Sequence, residues 1–261
     1  MRRLSLLFLL LLTSRLWATP AANGSASAWQ GQLSVSPVLS VSATAPSGSN
    51  TLMTVHVCSQ NGFTITGITW NGSQSFTLAG SYTSGPLGPM HTWYLVNPAV
   101  GTYALAVTMN NPYGQYSVIE QCWQGVNQTT PIGKVATNAG TFPNASPSTW
   151  TDTMASPTAP ASSVFLSFMT TANNPGSFTT TLGTFLTGIL TYTPAPFAAA
   201  YTVNATSTSI TWKATDFYTC AAYSLQTELL DAGAAPTPTP TPAPSTGGPP
   251  TGTMGTLGCG L

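Results

Sequence analysis

Charge is what this 261-residue chain most lacks: Asp, Glu, Lys and Arg together make up 4% of it. Three of its five basic residues, Arg2, Arg3 and Arg15, fall near the start, which leaves Lys134 and Lys213 for everything that follows. Two lysines cannot track a phosphate backbone, so nucleic acid is excluded as a partner. A polybasic contact with anionic lipid is excluded on the same ground. Against the two lysines stand Glu120, Asp152, Asp216, Glu228 and Asp231, so the chain beyond Arg15 carries 2 − 5 = −3. Low charge here does not mean disorder. At 42% hydrophobic residues, the chain has the means to bury a core, the reverse of a disordered composition.

Apolar runs of membrane length are missing too. Leu4–Leu12, apolar apart from Ser5, follows the positive Arg2-Arg3 pair and precedes the small residues of Ala18–Ala26. That layout predicts a secretory signal over 1–26, and the run is too short to span a bilayer as a helix. The expectation is a secreted, extracellular or cell-surface protein without a membrane span.

Helical periodicity is absent as well. Short alternating stretches are separated by Gly, Pro and Asn: Met53, Val55 and Val57 alternate with Thr54, His56 and Cys58. Further strands are predicted at 63–70, 92–96, 103–109, 116–123, 164–170, 188–192, 209–213 and 218–225. Asn71-Gly72 is a hairpin turn signal, and Pro98, Pro112, Pro131, Pro143 and Pro175 fall between the strands, where a missing donor does no harm. Many short strands at this spacing predict an all-β, two-sheet antiparallel β-sandwich over 27–230. Beyond it, 231–261 holds Pro236-Thr237-Pro238-Thr239-Pro240-Thr241-Pro242. This reads as a Pro/Thr-rich extended spacer and tail, ending in Gly258-Cys259-Gly260-Leu261.

Three stretches occur together: Ile68-Thr69-Trp70-Asn71-Gly72 leading to Phe76-Thr77-Leu78; Trp93-Tyr94-Leu95-Val96-Asn97-Pro98 before Gly101-Thr102-Tyr103; and Gly125-Val126-Asn127-Gln128-Thr129-Thr130-Pro131. Over roughly Leu39 to Leu225 the chain thereby resembles a jelly-roll, concanavalin-like β-sandwich domain of unknown function found in bacterial secreted and phage structural proteins. The resemblance implies architecture and carries no catalytic signature.

Catalytic raw material is scarce. No Gly-x-Ser-x-Gly elbow, His-Glu-x-x-His pair or phosphate loop is present. Cys-x-x-Cys spacing is also missing, so neither a metal nor another cofactor is expected. His56 and His91 read as strand residues. Glu120 is the one carboxylate inside an apolar strand. As an alternative catalytic acid of a glycan- or peptide-cleaving hydrolase it would need a second carboxylate, for which Asp152 and Asp216 are the candidates within the domain. Cys58, Cys122 and Cys220 sit on predicted strands at the parity opposite to the core. First and last strands commonly adjoin in sandwiches, so Cys58–Cys220 is the expected disulfide and Cys122–Cys220 the alternative, with Cys259 as a further partner. Sequons at Asn23, Asn71, Asn127, Asn144 and Asn204 are unremarkable in so Ser/Thr-rich a chain.

Binding is better supplied. Aromatic faces stack on sugar C–H groups while amides bond hydroxyls. Trp70 beside the Asn71-Gly72 turn, Tyr82, Tyr113 and Tyr116 are the candidate platforms for a glycan or cell-surface polymer. The leading expectation is a secreted carbohydrate-binding or adhesive module on a stalk. The alternatives are a self-associating subunit of a fibre, coat or matrix, suggested by the low charge, and the Glu120 hydrolase.

Overall fold

The computed structural model describes residues 19–33, 36–59, 63–83, 88–113, 115–145, 147–159, 162–171, 177–187, 197–203, 208–215 and 219–233. The expected secretory signal before residue 19, the expected 188–192 strand, Asp216, the Pro/Thr segment and Cys259 lie outside these residues. No helix occurs among the described residues, and none is long and apolar enough to cross a membrane. The strands are β1 Ala21–Ala22, β2 Ser27–Gln32, β3 Val38–Ala45, β4 Leu52–Ser59, β5 Ile65–Trp70, β6 Gln74–Ser75, β7 Thr77–Tyr82, β8 Met90–Val96, β9 Gly101–Met109 and β10 Gln115–Gln124. They continue as β11 Ile132–Phe142, β12 Ser148–Thr153, β13 Val164–Thr171, β14 Phe178–Leu182, β15 Thr184–Thr187, β16 Phe197–Val203, β17 Ser209–Ala214 and β18 Cys220–Leu229.

All pairings are antiparallel, and the two-sheet sandwich expected from the sequence is built twice. In the first half, sheet I runs β1-β10-β4-β8-β7, with β2 also on β10, and sheet II runs β3-β9-β5-β6. In the second, sheet III runs β11-β18-β13-β16-β15 and sheet IV β12-β17-β14. The orders correspond strand for strand: β2-β10-β4-β8-β7 with β11-β18-β13-β16-β15, and β3-β9-β5 with β12-β17-β14. The registers correspond too, since Trp123 pairs with Leu52 as Leu229 pairs with Val164. The chain thus builds one sandwich architecture twice.

Period-2 alternation builds each core. Met53, Val55 and Val57 of β4, with Trp70, Trp93, Leu105, Val107 and Val118, fill the space between sheets I and II. Phe142, Trp150, Phe165, Phe178, Ile210 and Trp212 fill that between sheets III and IV. The other faces of sheets I and III are also covered, by each other. Cys58, Met90 and Ile119 pack on Phe168, Phe197 and Leu225, and Leu52 and Trp123 pack with Val164, Leu166 and Leu229. The result is four layers in the order II–I–III–IV.

His56 and Phe168 occupy equivalent positions in the two halves, and their rings stack at 5.2 Å across this central seam. Trp123 of β10 meets Tyr201 of β16 edge-on at 5.1 Å, while Tyr94 of β8 packs in the cluster that holds Leu229 of β18. A position meeting its own equivalent, flanked by reciprocal contacts, is what an approximate twofold axis running along the strands produces.

Approach of the sheets is close at the edge, where β7 lies over β11. A Cβ on Gly80 would stand 2.4 Å from Val135 Cγ1. Gly80→Ala is therefore expected to wedge the seam and lower stability in urea titration by about 1–3 kcal/mol. Gly67→Ala, with nothing within 4 Å, is the control and is expected to change little.

Candidate functional site

Strand direction sorts the loops into two ends. Ala21 pairs with Gln124, so the chain enters beside the end of β10. It also leaves there: Ala232 N–H donates to Gly125 O at 2.8 Å and Asn127 N–H to Leu230 O at 2.9 Å. Residues 231–233 thus lie at the end at which β10 finishes. The β9–β10 loop lies at the start of β10, about 30 Å away at ~3.3 Å per residue.

That far loop carries Tyr113, 64% exposed. It is held rather than loose. Tyr113 N–H donates to Asn111 Oδ1 at 2.9 Å, an Asx-turn that its Asn-Asn-Pro sequence favours. Asn110 N–H donates to Thr64 O at 3.0 Å, and Thr64 N–H returns a bond to Asn110 Oδ1 at 2.9 Å. Both amide oxygens are thereby turned to the backbone, and Asn110 and Asn111 are exposed, as Tyr113 is. Val38, 38% exposed, begins β3 at the same end. Sequence reasoning singled out Tyr113 but not these asparagines, although an Asn-Asn-Pro turn beside a tyrosine was there to be noticed.

The other three platform candidates are placed differently. Trp70 is fully buried: it faces the first core, donates from Nε1 to Ala99 O at 3.0 Å and meets Tyr103 edge-on. The Asn71-Gly72 turn beside it forms as expected, both residues at positive φ, but the strand's parity turns the indole inward. Tyr82 ends β7 instead of lying in a loop, and packs on Tyr223 across the seam at 5.9 Å. Burial and Tyr223 both push its hydroxyl pKa up. Tyr116 lies half-buried on β10 against the first core and over Gly31.

Glu120 is not on a solvated face. It points into the first core, 1% exposed, and accepts a hydrogen bond from the Cys122 thiol at 3.3 Å. Burial raises its pKa to about 7, against the opposing hydrogen bonds of Cys122 and Ser27. Asp152 belongs to the other sandwich's core, where Asn138, Ser167 and Gln226 all donate to it. The two carboxylates lie in separate cores and cannot flank one substrate bond. Glu228, also fully buried, accepts from the backbone N–H of Lys134, Thr158 and Ala159 at 2.9, 2.7 and 2.7 Å. Burial pushes its carboxyl up, but these donors and Ser163 more than offset that and leave it low. Both of its oxygens are bonded to the backbone, where they tie the β12–β13 loop to the start of β11.

The expected disulfide is not formed. Cys58 and Cys122 are free thiols, and the three strand cysteines lie in three clusters: Cys58 in the seam, Cys122 in the first core and Cys220 in the second. Reading the chain as one sandwich made the strands of Cys58 and Cys220 neighbours; the repeated architecture puts them in different sheets. His56 sits in the seam with Nδ1 on Thr92 Oγ1 at 2.9 Å and Nε2 without a partner. Burial lowers its pKa to about 3. His91 is buried in the first core with neither ring nitrogen bonded, and its pKa is likewise lowered by burial. No group of three His, Cys, Asp or Glu that could hold a metal occurs among the described residues.

Comparison with family models, curated proteins and solved structures returned no match.

Proposed function

We propose that the chain is a secreted, non-catalytic module that binds carbohydrate or adheres to a surface, displayed on its Pro/Thr-rich segment. Each half is read as a jelly-roll: β2-β10-β4-β8 and β3-β9-β5-β6 interleave the chain between two sheets as two Greek keys do, and the second half repeats the scheme. The observation that carries the proposal is polarity of placement. The one strongly exposed aromatic among the described residues, Tyr113, stands in a braced loop at the end opposite the stalk's root. Loops on a rigid scaffold are where binding residues concentrate, and a spacer on the far side keeps that end accessible. The leader-like first residues support export. The test is retention of the mature chain on an array of glycans and insoluble polysaccharides. Specific retention is expected, reduced about tenfold or more by Tyr113→Ala; uniform failure to bind would sink the proposal.

A second reading, a structural subunit, is favoured by the outer faces of sheets II and IV. They are lined by hydroxyl pairs such as Thr44–Thr102, Thr151–Thr211 and Thr153–Ser209 at 2.8–3.1 Å. Sparse charge lowers the barrier to association. Concentration-dependent polymerisation in light scattering, with no glycan retention, is its signature.

A further inference from the structure

We infer that the ligand of the Tyr113 end is an electrically neutral polysaccharide, an assignment that rests on the carbohydrate-binding reading above. No Asp, Glu, Lys or Arg occurs between Arg15 and Glu120. That interval contains β1 to β9 and the start of β10, hence both faces of sheet II and the described loop residues at the Tyr113 end of the first sandwich. The imidazoles within it and the carboxyl that closes it are withdrawn: His56 and His91 are 1% and 6% exposed, and Glu120 is 1% exposed. Burial holds both imidazoles in the neutral form. The first sandwich therefore presents no ionised side chain to a ligand. The charges of the chain beyond Arg15 are carried by Glu120 and by the residues after it.

An anionic glycan brought to this surface would lose hydration at its carboxylates or sulfates and find no cation in return, which is unfavourable. A neutral sugar ring incurs no such loss. Its C–H face lies on the Tyr113 ring, and its hydroxyl and ring oxygens accept from the Asn110 and Asn111 Nδ2 groups, whose amide oxygens are already engaged. The site offers one exposed aromatic ring and two exposed asparagines whose oxygens are engaged, which leaves their Nδ2 groups to donate without adding charge.

The experiment is retention of the mature chain on insoluble neutral polysaccharides (a glucan, a mannan, chitin) and on immobilised polyuronate and sulfated glycan, at about 0.15 M and about 1 M NaCl. Retention on a neutral polymer is expected, unchanged within about twofold by salt because no ion pair is screened. Tyr113→Ala is expected to weaken it about tenfold or more. Retention confined to the anionic polymers, falling as salt rises, overturns this inference and leaves the binding reading standing. Neutral retention indifferent to Tyr113→Ala overturns the placement. A chain that binds none of the polymers overturns both.

Discussion

Replacing Glu120 by Gln is expected to stabilise the protein by about 3 kcal/mol near ~pH 8 and to have little effect near ~pH 4. The folded carboxyl titrates at about 7 against a usual 4.5, chiefly because burial penalises its charged form. The native state keeps this proton where the unfolded chain has released it. Stability is therefore fully present below 4.5 and is lost as pH rises to about 7, at about 1.4 kcal/mol per unit. Gln reproduces the protonated group, retains an oxygen for the Cys122 thiol, and has no charge to desolvate. The second sandwich already carries the substitution: Gln226 stands three residues before Leu229, as Glu120 stands three before Trp123, in matching registers. Urea titrations of both proteins at the two pH values decide the matter. An equal effect at both, or a loss at the higher one, would refute the account.

The second large effect concerns acid. His56 titrates at about 3 in the folded protein against 6.5, because of burial, so the unfolded chain takes up a proton that the native seam refuses. Stability is present above 6.5 and declines as pH falls towards 3. His56→Phe places in the first half the residue that Phe168 supplies in the second, and is expected to gain about 3 kcal/mol over the parent at ~pH 4 relative to the difference at ~pH 7. Loss of the Thr92 partner costs about 1 kcal/mol at every pH, which is why the change with pH is the readout. Acid titration followed by tryptophan fluorescence should show the unfolding midpoint displaced downward; an unmoved midpoint would count against the seam's neutrality. Between 4.5 and 6.5 Glu120 and His56 oppose each other, one native proton against one unfolded proton, so their effects on the pH slope of stability cancel. His91, with its pKa also lowered, adds to the acid limb in both proteins.

Strands were largely legible in the sequence because alternation is a local signal. The runs at 92–96, 103–109, 116–123, 164–170 and 209–213 lie within β8, β9, β10, β13 and β17. The parity of Thr54, His56 and Cys58, away from the first core, was legible too, whereas Cys122 and Cys220, expected at the same parity, face the first and second cores. What that face meets was not, because polar character on alternate residues usually means solvent, and here it means a second sandwich. The signal was in β13, whose Val164-Phe165-Leu166-Ser167-Phe168-Met169 is apolar on both faces, as a strand covered on both sides must be. The repeated architecture escaped notice because the halves share registers rather than residues: His56 answers to Phe168, and Glu120 to Gln226. The disulfide expectation failed with it, and Trp70 was misplaced because a turn next to a residue does not decide which way that residue points. Tyr113 was legible because a loop between prolines and glycines leaves an aromatic few places to hide.

The seam also sets an order of events during synthesis. Every pairing of the first sandwich closes within residues 21–124, so its sheets can zip before β11 has left the ribosome. A first half folded ahead of the second would carry Leu52, Met90, Ile119 and Trp123 on an uncovered face. Such surface is hazardous in a crowded compartment, and a second copy would offer a face of the same strand order and register. A chain interrupted after residue 126 would be expected to pair with another like itself, reconstituting between two molecules the contact that the intact protein makes within one.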